Sequence, residues 1–305
     1  MPMTGSRDSD DKGRSDAPPP RSCLYVPASN PRAIEKARDL PADVVILDLE
    51  DAVAPDTKTD ARIAACWEIA RGGFGTRALV IRINPLPSIW GMDDLHAAVQ
   101  SGAHALLVPK VTCAADIRAI DAAMTAAGAP GEMALWAMIE MPLAILNIAE
   151  IAAGAGQSRL SAFVIGINDL AKETGAMMTA DRAAFQSALQ MTITAARAYG
   201  LTAIDGVFND ISDRAGLESE CQQGRMLGYD GKSVIHPDQI EICNRIFSPS
   251  PGEVEQARMI IAAFADPHND GQAVLKVGGI MTERLHWEQA KRIVAIAERI
   301  KRLTE

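Results

Sequence analysis

Acidic side chains recur just past apolar runs in this chain, and two of them have the chemistry of ligands to a hard divalent cation. Glu140 follows Ala137-Met138-Ile139, and Asp169 follows Gly166-Ile167-Asn168. Two carboxylates, completed by waters and substrate oxygens, form the oxygen-rich octahedral shell that Mg²⁺ prefers. No cysteine or histidine cluster stands at such a position, which disfavours zinc. Taken singly, Glu140 reads equally well as a solvated loop acid and Asp169 as a helix N-cap. Their matched placement after successive runs favours the metal. A third acidic site follows Val44-Val45-Ile46-Leu47, where Asp48, Glu50 and Asp51 crowd together. Crowded acids at the end of a buried strand repel and lose solvation, so they require a cation or a hydrogen-bonding role. The bland alternative is a helix N-terminus, whose dipole favours acids.

Two cations stand at equivalent positions, Arg82 before Ile83-Asn84 and Lys110 after Pro109. The guanidinium fork of Arg82 suits a carboxylate or a developing enolate oxygen. Lys110 is as well suited to neutralising the acids as to binding substrate. His236, before Pro237, is expected to fix a turn, and Met138, Met141, Met177 and Met178 are expected to pack. With the metal at Glu140 and Asp169, the triplet Asp48, Glu50 and Asp51 becomes the set of counter-charges that orders metal waters and arginines.

Such residues need elements that bring them to one place. Strands are expected at Ser22–Pro27, Val44–Leu49, Ala78–Ile83, Ala105–Pro109, Met133–Ile139, Ala162–Ile167, Thr202–Val207 and Lys232–Ile235. Their runs are apolar on both faces, the mark of a parallel sheet. Helices are expected from Asn30-Pro31, at Asp56–Ile69 and Asp93–Gln100, and at 114–127, 142–155, 181–199, 211–226 and 237–246. Strict alternation of this kind predicts an α/β (β/α)8 TIM barrel, in which strand ends far apart in sequence converge on one mouth. No glycine-rich phosphate fingerprint follows the first strand, which weakens a doubly wound dinucleotide fold.

The texture changes at Ser248-Pro249-Ser250-Pro251. A helix near Glu253–Phe264, a polar loop over Asp266–Gln272, the segment Ala273–Gly279 and a charged helix over Glu288–Leu303 are expected beyond it. The division is thus a disordered leader (1–20), a barrel (21–248) and a helical extension (249–305), expected to cap the barrel or to serve as a lid over a neighbouring subunit. The leader is charged and has no apolar core, so it is not expected to be a signal peptide. No apolar run reaches the roughly 18 residues of a spanning helix. Five cysteines without a CxxC pair suggest reduced thiols and a cytoplasmic protein. A net charge of −9 argues against nucleic acid as a partner.

Seven segments in order, Arg21-Ser22-Cys23-Leu24-Tyr25-Val26-Pro27, Asp48 to Val53, Arg82-Ile83-Asn84, Pro109-Lys110, Ile139-Glu140-Met141-Pro142, Gly166 to Leu170 and Gly231 to Pro237, resemble the citrate lyase β-subunit-like family of the HpcH/HpaI aldolase superfamily. The resemblance implies a (β/α)8 barrel, Mg²⁺, and a homo-oligomer (trimer or hexamer). It implies a carbon–carbon lyase that splits a malyl-CoA- or citramalyl-CoA-like thioester into an acyl-CoA and a 2-oxoacid. A thioesterase, a CoA-independent hydroxy-oxoacid aldolase and a carrier-protein-dependent citrate lyase β subunit are the alternatives. Carried over by motif, Glu140 and Asp169 bind Mg²⁺, Arg82 and Arg21 contact substrate oxygens, and Glu50 and Asp51 organise the metal waters. A carboxylic acid from the C-terminal segment, an Asp in the family, exchanges a proton with the acetyl carbon. The matching stretch here is Gly279-Ile280-Met281-Thr282-Glu283-Arg284-Leu285, with Glu283 at that acid's position. Ile280 replaces a lysine and Leu285 a proline. The longer side chain carries its carboxylate elsewhere, and a displacement of about 1 Å can cost on the order of 100-fold in rate.

Overall fold

The computed structural model describes residues 19–304, so nearly all of the expected leader lies outside the described residues. Two compact units are present, one running from Pro20 to Phe247 and the other built from Ser248 onward.

In the first unit eight parallel strands close into a barrel in sequential order. They are β1 (Ser22–Pro27), β2 (Val44–Asp48), β3 (Ala78–Arg82), β4 (Ala105–Val108), β5 (Ala134–Ile139), β6 (Leu160–Ile165), β7 (Thr202–Asp205) and β8 (Gly231–Val234). Alternation along each strand divides the core into two layers. Val44, Ile46, Val80, Leu107, Val164 and Ile204 fill the barrel interior. Val45, Leu47, Ile81, Leu106 and Phe163 pack outward against the helices. Both faces of these strands are therefore buried, as their unbroken apolar runs require.

The helices of this unit are α1 (Pro31–Ala37), α2 (Lys58–Arg71), α3 (Gly91–Gln100), α4 (Ala114–Ala126), α5 (Pro142–Leu146), α6 (Ile148–Ala153), α7 (Ile167–Thr174), α8 (Gln186–Ala198), α9 (Arg214–Leu227) and α10 (Ile240–Ile246). Asn30 caps α1 by accepting the Ala33 amide, with Pro31 opening the helix. Two differences from expectation matter. The helix expected over 142–155 breaks at Asn147, whose side chain donates to Thr112 O at 3.0 Å and so ties the break to the preceding loop. Helix α7 was not anticipated, because it begins at Ile167, within the apolar run that reads as a strand over Ala162–Ile167.

The second unit contains α11 (Pro251–Ala265), the antiparallel strands β9 (Val274–Val277) and β10 (Ile280–Glu283), and α12 (Arg284–Thr304). Ser250 and Glu253 cap α11 reciprocally. The hairpin turns at Gly278-Gly279, where both residues have positive φ (58° and 88°), a conformation natural to glycine. Phe264 on α11 meets Trp287 on α12 with ring centroids 6.4 Å apart. Among the described residues no helix is long and apolar enough to cross a membrane.

A buried ion cluster joins the last two barrel strands to α9. Asp205 and Lys232 are register partners on β7 and β8. Lys232 Nζ lies 3.1 Å from Asp205 and 2.6 Å from Glu220 of α9, and Arg182 Nη1 lies 2.7 Å from Asp205. Arg182 Nε also donates to Gln223 at 2.6 Å. These bonds hold Arg182 in a left-handed conformation (φ 52°) that a non-glycine residue adopts only at a cost. Burial alone would raise the Asp205 carboxyl, but Lys232 and Arg182 outweigh it and hold it below the usual range. A carboxyl depressed on folding stabilises the native state above its unfolded value of about 3.9 and loses that contribution as pH falls through the folded value. Asp205→Asn leaves two buried cations facing one carboxylate and should cost about 3–5 kcal/mol in urea denaturation at pH 7. It should also lessen the loss of stability below about pH 4. Wild-type stability and acid sensitivity in that variant would remove the cluster from the account of this fold.

Candidate active site

The C-terminal ends of the strands surround a cavity of about 330 Å³. Tyr25, Asp48, Asp51, Arg82, Met138, Glu140, Asp169, Asn209 and Ser233 are among the residues that line it. Sequential closure of the barrel makes it a single mouth, and parallel strands direct their loops into it.

One half of the mouth is an arginine clamp. Asp48 and Arg82 are register partners on β2 and β3. Arg82 Nε and Nη2 donate to the two oxygens of Asp48 at 2.6 and 2.7 Å, a bidentate pair. Arg82 Nη1 lies 2.9 Å from Glu50 Oε2, although that oxygen meets no hydrogen-bond geometry, so the contact is an ion pair without an aligned bond. Asp51 is more remote, at 3.7 Å, and its side chain is mostly exposed. The guanidinium also lies over the Tyr25 ring, 4.9 Å from its centroid. Buried Lys58 holds the turn carrying Glu50 in place by donating to Leu49 O at 2.9 Å and Glu50 O at 2.7 Å. Burial pushes the Glu50 carboxyl up to about 8, even though Arg82 opposes the shift.

The other half combines Lys110, Glu140 and Asp169. Glu140 is fully buried at the end of β5, and Asp169 stands in the first turn of α7, where the helix dipole favours a carboxylate. Lys110 donates its backbone N–H to Glu140 Oε1 at 2.8 Å. Its Nζ lies 3.3 Å from the same oxygen and 2.7 Å from Asp169 Oδ2. Lys110 adopts a left-handed backbone (φ 58°), which turns both its amide and its side chain toward these acids. Burial raises the Glu140 carboxyl and Lys110 counteracts it. Gly166 passes so close that a Cβ there would fall 2.6 Å from Glu140 Cβ. A side chain at 166 is therefore incompatible with this placement of Glu140.

This half has the donor chemistry of a Mg²⁺ site. Glu140 Oε2 is buried without a hydrogen-bond partner, and an unpaired carboxylate oxygen in such surroundings calls for a cation. Among the described residues no three His, Cys, Asp or Glu side chains form a metal cluster. A pair of carboxylates with several retained waters is nevertheless the usual provision for Mg²⁺.

Arg82, Glu50, Asp51, Lys110, Glu140 and Asp169 are thus brought together at the mouth. Arg21 is not. It precedes β1 and therefore lies at the opposite end of the barrel, where its Nε and Nη2 each reach Asp43 at 2.7 Å. The expectation of a substrate contact fails because an entry residue of a parallel strand points away from the mouth. Glu283 ends β10 in the second unit; it is exposed, and its amide donates to His286 Nδ1 at 2.9 Å. His236 does fix a turn, its Nδ1 accepting the Asp238 amide at 3.2 Å. Met141 packs against the core and Met138 lines the cavity, but Met177 and Met178 are exposed, contrary to expectation. Tyr25, Lys58 and Asn209 were missed. Tyr25 could have been found from its place on the inward-facing alternation of β1, whereas Lys58 lies inside a helical stretch and gives no such signal.

Residues 21–237 match the family model described as HpcH/HpaI aldolase/citrate lyase. The chain is 46% identical to a (3S)-malyl-CoA thioesterase of Cereibacter sphaeroides, over 93% of this chain and 96% of that one. It is 34% identical to an L-malyl-CoA/beta-methylmalyl-CoA lyase of the same species, over 94% and 98%. Among solved structures it is similar to the protein CitE of Mycobacterium tuberculosis in complex with magnesium, acetoacetate and coenzyme A. That likeness has a TM-score of 0.74 and 28% identity, and covers 92% of this chain and 98% of that one. With its closed barrel, its ordered strand-end residues and these full-length likenesses, the chain belongs to the HpcH/HpaI aldolase/citrate lyase family.

Proposed function

We propose that this protein is a Mg²⁺-dependent hydrolase of a malyl-CoA-type thioester. The observation that carries the reading is the 46% identity, over nearly the whole chain, to a protein named (3S)-malyl-CoA thioesterase. Glu140 and Asp169 hold the metal. When bound, Mg²⁺ supplies Lewis-acid polarisation of a substrate oxygen.

The remaining chemistry falls to side chains of the mouth. Asp48 occupies Nε and Nη2 of Arg82, which fixes the guanidinium plane and leaves Nη1 toward Glu50 and Met138. A positive charge held in that way stabilises the negative oxygen that develops on the thioester carbonyl, with little reorganisation at the moment of reaction. In its ionised form, which a carboxyl raised to about 8 adopts mainly above that pH, Glu50 accepts the proton of the attacking water as a carbon–oxygen bond forms. The carbon–sulfur bond then breaks, and the CoA thiolate leaves and takes up a proton. Tyr25 supports the arginine from below, and burial keeps its phenol neutral.

Carbon–carbon cleavage is the second reading, favoured by the 34% identity to a malyl-CoA lyase. It needs one step that hydrolysis does not, the exchange of a proton with the acetyl carbon. Glu283 is the candidate for that exchange, and it stands where this chain departs from the family's pattern. Hydrolysis places no demand on that position.

With Mg²⁺ and malyl-CoA, the purified protein should release free CoA and malate; acetyl-CoA with glyoxylate in their place would establish the lyase reading instead. Glu140→Gln and Asp169→Asn should each lower kcat by about 100-fold or more, the usual scale for removing a transition-state charge partner. Full activity in both would remove the metal from these carboxylates. Glu283→Gln should leave hydrolysis within about threefold of wild type, whereas a loss on the order of 100-fold, as when an acid–base group is deleted, would assign it a catalytic role. Gly166→Ala should fold normally by circular dichroism yet lose roughly 100-fold in kcat, because displacing Glu140 by about 1 Å misplaces the cation.

A further inference from the structure

We infer that Lys110 is a built-in competitor for the divalent cation, holding Glu140 and Asp169 until the metal enters and weakening metal binding by the work of its own displacement. The inference rests on the reading of these carboxylates as the metal site.

The geometry separates two functions of one residue. The backbone N–H of Lys110 donates to Glu140 Oε1 at 2.8 Å and so positions that carboxylate whatever the side chain does. The ammonium bridges Glu140 and Asp169 at 3.3 and 2.7 Å, while its partly exposed stem leaves it room to withdraw. The bridge is incomplete. Lys110 engages Glu140 through Oε1 alone, and Oε2 stays buried without a hydrogen-bond partner. An ammonium and a divalent cation held on the same two partly enclosed carboxylates repel each other, so each weakens the other's hold. Metal entry and Lys110 release are therefore coupled, and the free energy of that coupling is subtracted from the intrinsic affinity of the oxygens. The chain thereby avoids leaving two adjacent acids uncompensated whenever the metal dissociates.

The test is Mn²⁺ binding, followed by the loss of the free-ion electron paramagnetic resonance signal, in wild type, Lys110→Met, Lys110→Gln, Lys110→Arg and Glu140→Gln. No substrate or turnover enters this measurement. Both neutral variants keep the backbone N–H, and Gln covers the case in which Met is not tolerated in the fold. Removing the competing cation should lower the Mn²⁺ Kd by roughly 10-fold, the scale of two partly solvated ion pairs. Lys110→Arg, which retains a competing charge, should stay near wild type. Unchanged or weaker binding in folded Lys110→Met and Lys110→Gln, with binding in wild type and none in Glu140→Gln, would overturn the competition while leaving the metal site in place. Binding that survives equally in Glu140→Gln, or that is absent from wild type and both neutral variants, would overturn the metal site and the competition with it.

Discussion

Burying charge at the mouth of a barrel is possible only if the charges compensate one another, and this constraint organises the whole site. Arg82 is enclosed, so it requires the bidentate carboxylate of Asp48 on the neighbouring strand. That pair depends on register: a slip of one residue between β2 and β3 would turn both side chains away from each other. The turn after β2 must then present Glu50 to the remaining edge of the guanidinium, and Lys58 holds that turn by its carbonyl groups. Strand closure, turn geometry and electrostatics are linked through a single cation.

The compensation is unequal across the mouth. Among the described residues Asp48, Glu50 and Asp51 are compensated by Arg82 with Lys58 beneath their turn, whereas Glu140 and Asp169 share Lys110. Arg82 is satisfied by partners on its own side and is locked. Lys110 is shared between two acids from different elements and leaves one oxygen of Glu140 bare. One half of the mouth is thus locked around a paired arginine, while the other keeps a buried carboxylate oxygen without a hydrogen-bond partner. The ion cluster around Asp205 and Lys232 obeys the same rule in the layer between barrel and helices, where two cations meet two carboxylates.

Much of the barrel could be read directly from the chain. Apolar runs on both faces marked the strands, with boundaries displaced by one or two residues, since the run continues past the strand end into Leu49, Ile83 and Ile167. Elements that follow one another without a loop were harder. Helix α7 starts at Ile167, two residues after β6 ends, so the apolar run of the strand concealed its first turn. Arg21 was misplaced for a topological reason: it shares a motif with β1, but stands before the strand rather than after it.

The sequence by itself determined the alternation of strand and helix, the acids Glu140 and Asp169 beyond their strands, and the membership of an enzyme family. These are local matters of periodicity and residue type. Only the tertiary structure decided which charges meet. It paired Arg82 with Asp48, sent Arg21 to Asp43, set Lys110 between two carboxylates and left Glu140 Oε2 bare. Ion pairing depends on distances of a few ångströms between residues tens of positions apart, and closure of the barrel creates those distances.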